Sequence, residues 1–199
     1  MRTISIVALV LWAVTCGGCG HSQSGGGRSA ANKSDEKQVT ELSLDLLAKT
    51  ADDELSQTVV HYVFYKIGDG DHESEIVAGL PSSVRAVYLI RHADGEINNG
   101  GYSQYFVNSE GKWAGETVKA YELVGSNEAA ALMKQAIGIF LSEMTPDELK
   151  KAKSDVRAFA NYAKTSDLSA LDSKYYELDT PSIACDKYIR AHPDEFVAK

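Results

Sequence analysis

In "RHADGE", His92, Asp94 and Glu96 stand at alternate positions. In an extended chain that spacing lines up metal ligands or an acid/base pair. On a helix, alternate residues point about 200° apart, and only His92 and Glu96, four apart, share a face. At a helix end such a pair reads as a surface ion pair. The adjoining stretch is denser in polar chemistry: Glu96, Asn98, Asn99, Gly100, Gly101, Tyr102, Gln104, Tyr105, Phe106 and Asn108 all fall within "EINNGGYSQYFVN". Side-chain amides around a glycine corner can orient a small ligand. They can equally satisfy the corner's own backbone groups. Both readings stand, although a plain helix stop needs one glycine or asparagine rather than four such residues and a glutamine.

Other constellations are incomplete. "DGDHESE" has the acid spacing of a calcium loop, yet Ser74 replaces the required glycine and Leu80 stands where the bidentate glutamate belongs. There is no glycine-rich phosphate loop, serine nucleophile elbow or paired cysteine/histidine set. The sequence indicates no cofactor and no metal and does not read as an enzyme.

The elements that position these residues are helical. Thr50 reads as the N-cap of a helix running through "ADDELSQTVVHYVFYKIG", with acids in the first turn where the helix dipole favours them. "TVVHYVFY" is the one stretch with strand character, and the cap before it argues for helix. Ser82 or Ser83 opens a helix from Val84 that should end near Glu96. Asn98 to Gly101 then redirect the chain, because asparagine and glycine tolerate left-handed backbone angles. Beyond the corner Tyr102, Tyr105 and Phe106 share one face, while Gln104 and Asn108 share another within reach of the turn above.

Ser126 opens a further helix. Thr145, with Pro146 at the first helical position and Glu148 three after the cap, starts one in which Leu149, Ala152, Val156, Phe159, Ala160 and Ala163 recur at helical spacing. Thr180 and Pro181 open the last, which His192-Pro193 closes. The expectation is an all-α fold, a single compact domain of roughly seven helices.

The chain opens with Arg2 and an unbroken apolar run from Ile6 to Val14. At nine residues it is too short to span a bilayer, which takes about 20. It has the length of a signal-peptide core. The "CGGCG" that follows resembles a bacterial lipoprotein signal, with Cys19 fitting the lipidated position better than Cys16. Residues 1–18 are then the signal peptide and Cys19 the lipid attachment site. Residues 19–38, rich in glycine, serine and charge, form a disordered linker with a reach of roughly 25 Å. The domain occupies 39–199. Only Cys185 would remain unmodified, so no internal disulfide can form, and "SIACDKYI" places it on an inward helix face.

"EINNGGYSQYFVNSEG" also resembles the signature of the DNA-mimic-protein family, bacterial domains whose members carry Glu-Val-Asn-Asn-Gly-Gly-Phe-x-Gln-Phe-Phe-x-Asn. Glu96, Asn98, Asn99, Gly100, Gly101, Gln104, Phe106 and Asn108 match; Ile97, Tyr102 and Tyr105 are conservative replacements. "LPSSVRAVYLI" upstream and "LSALDSKYYEL" downstream extend the likeness over roughly residues 50 to 192. The resemblance implies an all-α fold and no established catalytic residues.

The family takes its name from acidic helical surfaces that imitate DNA phosphates. Duplex DNA presents a charge about every 1.7 Å, so a mimic needs densely clustered acids. Here a net charge of −8 is dispersed over Asp52 to Glu54, Asp69 to Glu75 and Asp147 with Glu148, at helix starts and loops. The reading is a lipid-anchored envelope protein facing the periplasm or exterior, on either membrane, that is a non-catalytic interaction or ligand-binding module. Its partners would be the membrane, through the lipid, and a protein or small molecule, without direct nucleic-acid binding. The alternatives are an acidic DNA mimic and an enzyme built on Glu96, Asn99 and Gln104.

Overall fold

Helix α4, Ser82–Ser109, is the spine of the molecule, and its composition explains why. In its first half Val84, Val87, Leu89 and Ile90 are buried along with Ala86 and Tyr88, so apolar contact runs nearly all round the axis. A helix apolar on every side lies at the centre of its domain. The computed structural model describes residues 38–70 and 72–197. The expected signal peptide, the expected lipid site at Cys19 and all of the expected linker but Gln38 lie outside the described residues.

Around α4 pack α2 (Leu55–Ile67), α5 (Ala114–Leu123), α9 (Ser169–Tyr176) and α10 (Pro181–Ala191). Helix α6 (Asn127–Glu143) lies against α5 and α9, and α7 (Pro146–Ser154) and α8 (Val156–Thr165) pair with each other and touch α4. Short helices α1 (Leu44–Lys49) and α3 (Glu73–Gly79) complete the set, with 3-10 turns at Asp52–Glu54 and Pro193–Glu195. The fold is all-α, with no strand among the described residues. One apolar core joins these helices, with Leu55, Val59, Ile90, Ile97, Tyr121, Met133, Leu168 and Ile189 essentially sealed from solvent.

"TVVHYVFY" is helix. Thr145 forms the full capping box: Glu148 N–H donates to its hydroxyl, and Thr145 N–H donates to the Glu148 carboxylate at 2.8 Å. Pro181 occupies the first turn of α10, and His192 ends it.

Four expectations are corrected. The described residues form ten α-helices rather than seven. Thr50 ends α1 instead of opening α2, its hydroxyl donating to Leu46 C=O at 2.9 Å. Pro81, not Ser82 or Ser83, holds the cap position of α4, and the Ser83 hydroxyl donates to Glu195 at 2.6 Å.

The fourth concerns the helix after Thr145, which is two helices. Asp155 leaves the helical region (φ −134, ψ 110) and its carboxylate accepts the N–H of Arg157 at 2.8 Å, closing α7 and capping α8 in one residue. Val156, the first residue of α8, is 82% exposed.

Candidate functional site

Asn98 and Asn99 do not end the helix. Helix α4 runs through both and breaks only at Gly100 (φ −157, ψ 26) and Gly101 (φ 73, ψ −178). The conformation of Gly101 is open essentially to glycine alone. A side chain there would also overlap the Asp172 carboxylate, and one on Gly100 would overlap Gln104. Both glycines are therefore required by close approach, and the bend expected at Asn98–Gly101 falls on its second half.

A break in the ladder leaves backbone groups to be satisfied elsewhere. Helix α9 supplies both partners. Tyr102 N–H donates to Asp172 Oδ1 at 2.8 Å, and the Tyr176 hydroxyl donates to Ile97 C=O at 2.9 Å. Between them on the same face, the Tyr175 hydroxyl donates to Asp94 Oδ1 at 3.1 Å. Asp172, Tyr175 and Tyr176 stand at i, i+3 and i+4, the spacing that puts three side chains on one side of a helix.

On the outer side the two limbs of α4 are strapped together. Gln104 Nε2 and Asn108 Nδ2 donate to the same Glu96 oxygen at 2.8 and 2.7 Å. Asn98 Nδ2 folds back onto Asp94, donating to its C=O and to Oδ1, each at 2.8 Å. Asn99 departs from the expectation of amides turned inward. It is exposed, and its side chain makes no hydrogen bond among the described residues.

The inner side is aromatic. Tyr102, Tyr105 and Phe106 are at most 1% exposed. Phe106 stacks on Phe140 with centroids 4.5 Å apart, and Tyr102 meets Tyr175 edge to face at 5.7 Å. Behind them Asp94 is held by Tyr175, Asn98 and, at 3.5 Å, Arg91, while the Tyr175 and Tyr121 hydroxyls lie 3.2 Å apart. Burial raises the Asp94 carboxyl above its ordinary value, opposed by Arg91, Tyr175 and Asn98. The Tyr102 hydroxyl is buried with no hydrogen-bond partner among the described residues.

His92 is not half of a surface ion pair. Its ring sits among Tyr88, Tyr105 and Trp113, with centroids 5.7 to 6.2 Å away. Burial pushes its pKa down, against the pull of Glu96 and Glu73. Glu96 faces the amides instead. Burial also drives the Cys185 thiol well above its usual range, and Tyr105 is pushed up to about 12.

Among the described residues no three histidine, cysteine or acidic side chains converge as metal ligands. A cleft of about 440 Å³ is lined by Glu143, Glu148, Lys151, Asn161 and Tyr162. Another of about 720 Å³ lies between the turn before α6 and the turn before α10. Neither is lined by Glu96, Asn99 or Gln104.

Sequence reasoning singled out every residue of the bend on α4 and missed those that grip it from α9. The signal was present in "LSALDSKYYEL", where an acid and two tyrosines share a helix face.

A family model described as DMP19-like protein matches residues 78–192, a span that contains every helix from α4 to α10. No curated protein and no solved structure matches the chain.

Proposed function

Because the chain belongs to the DMP19-like protein family, we propose that it is a non-catalytic helical module that binds a protein or small molecule, held at the cell envelope by a lipid on Cys19. One observation carries the binding part of this reading. Glu96, Asn98, Gln104 and Asn108 bond to one another or to Asp94, whereas the Asn99 amide is exposed with no partner for donor or acceptor among the described residues. The bend is thus a rigid mount, and Asn99 is the contact it presents. A catalytic reading finds little support here, because Asp94 and His92, the groups suited to proton transfer, are enclosed by tyrosines and other aromatic rings.

The test separates mount from contact. Asn99→Ala should leave the melting temperature unchanged and abolish capture of the partner from envelope extract, while Gln104→Ala should lower the melting temperature. Loss of stability in both variants would make the corner purely structural.

The lipid anchor is supported by the apolar run, the small residues and the "CGGCG" of the first twenty positions. Incorporation of a labelled fatty acid that survives Cys16→Ala and disappears in Cys19→Ala tests it. Incorporation lost in neither variant would remove the anchor from this reading.

The family assignment and the net charge of −8 favour a second reading, an acidic DNA mimic. Against it, Asp45, Asp52, Glu110, Glu116 and Glu122 each pair with a lysine or arginine of the same chain.

A further inference from the structure

The acidic molecule carries a cluster of basic residues on one hairpin. Lys150, Lys151, Lys153, Arg157 and Lys164 fall within the hairpin of α7 and α8. Of these, Lys153 pairs with Glu110, while the side chains of the other four have no ion-pair or hydrogen-bond partner among the described residues. Elsewhere Lys49, Arg85, Arg91, Lys134 and Arg190 are paired with acids, while Lys66, Lys119, Lys174 and Lys187, which have no acid partner among the described residues, stand one each on α2, α5, α9 and α10. The acids of the hairpin sit at helix starts: Asp147 in the first turn of α7, Glu148 in the capping box and Asp155 as the cap of α8. These three acids are exposed too, so the hairpin carries five cations against three acids, a net excess of two positive charges on an acidic molecule.

Helix α8 is also incompletely covered. None of its residues is buried, although Val156, Phe159, Ala160 and Ala163 form an apolar stripe at helical spacing. Val156 and Ala160 are exposed, and Arg157 and Lys164 flank them on the same solvent arc. A helix with an apolar edge beside lysine and arginine is the arrangement that lies in a lipid interface. Nucleic acid would satisfy the cations and leave Val156 with nothing; an anionic bilayer satisfies both.

We propose that the α7–α8 hairpin is a membrane-facing surface, its cations resting on anionic lipid headgroups and Val156 and Ala160 at the edge of the acyl layer. For access to the bilayer this rests on the lipid-anchor reading, under which the domain is held beside the membrane and a weak contact suffices.

The experiment uses the full chain carrying Cys16→Ser and Cys19→Ser, so that lipidation plays no part. Val156→Cys is labelled with an environment-sensitive dye, and Lys187→Cys on α10 serves as the control; Cys185 is buried in both. Vesicles of phosphatidylcholine, alone or mixed with phosphatidylglycerol, are the probe. The expected result is a blue shift at position 156 but not at 187, on the anionic vesicles only and weakened by salt. Adding Lys150→Gln, Lys151→Gln and Arg157→Gln should reduce vesicle partitioning by roughly a hundredfold, since each cation near an anionic surface contributes about 1 kcal/mol. A shift that is absent, equal at both positions or indifferent to the charge variant overturns the proposal. So does a shift that depends on protein concentration without vesicles, which would mark contact with a second copy. Failure of the fatty-acid labelling leaves these outcomes unmoved, so the two readings fail separately.

Discussion

Asp172 of α9 accepts the N–H of Tyr102 at 2.8 Å, across seventy residues of sequence, at the point where α4 breaks. Its carboxylate fills the space in which Gly101 would otherwise carry a side chain. One residue therefore replaces a helical acceptor and fixes the direction in which the second limb departs. Asp172→Ala should leave that N–H orphaned beneath a fully buried tyrosine, at a cost of about 1–3 kcal/mol in urea unfolding. Asp172→Asn, which keeps an acceptor oxygen, should recover most of the loss.

Gly101→Ala should be among the most damaging single substitutions in the domain. The backbone region Gly101 occupies costs other residues on the order of 1–3 kcal/mol, and the new methyl would also displace Asp172. In a double-mutant cycle with Asp172→Ala the two losses should be less than additive, because the second change removes the overlap. Strict additivity would mean that the carboxylate does not hold the bend.

The contrast between these residues shows what the sequence makes visible. The bend, the aromatic face of Tyr102, Tyr105 and Phe106, and the meeting of Gln104 and Asn108 are local matters of helical spacing, and all three were readable. Asp172 and Tyr176 act at a distance along the chain, and no periodicity reports which backbone atom a side chain will reach. Asp155 misled for a related reason. The apolar stripe from Leu149 to Ala163 keeps helical spacing across it, but the side chain's ability to cap two N–H groups outweighs propagation there. Asn98 and Asn99 tolerate left-handed angles without needing them, so the break passed to the glycines beyond.

Asp94 predicts a pH dependence. Its carboxyl is raised in the folded protein, chiefly by burial. As pH climbs through the ordinary carboxylate range the unfolded chain ionises first and is stabilised relative to the fold. The contribution of Asp94 is therefore fully present below its unfolded pKa and lost as pH rises through the folded one. Asn at this position carries no titratable proton, so the stability of the natural chain relative to Asp94→Asn should fall between acid and neutral pH. A difference that rises over that interval would mean that Arg91 outweighs desolvation.

Cys185 should behave as a packing residue. It is sealed among core side chains, and burial drives its thiol away from the reactive thiolate. Peptide-resolved alkylation of the native protein should leave Cys185 unlabelled, with modification appearing only across the unfolding transition. Labelling under native conditions would reveal local opening of α10.

The two readings of the acidic surface differ in what duplex DNA can do. A mimic must present acids whose charge is available to a basic partner. Here the acids of three cross-helix pairs, Asp52–Arg190, Glu116–Arg85 and Glu122–Lys134, are already committed within the chain. Acids so neutralised release no counterions when a DNA-binding surface approaches, and that release is the main source of non-specific affinity. The chain should therefore fail to displace a fluorescent duplex from a non-specific DNA-binding protein at physiological salt. Replacing Arg85, Lys134 and Arg190 by Gln should make it a better competitor by freeing three carboxylates. Efficient displacement by the unaltered chain, steeply weakened by salt, would favour mimicry and move the working surface away from Asn99.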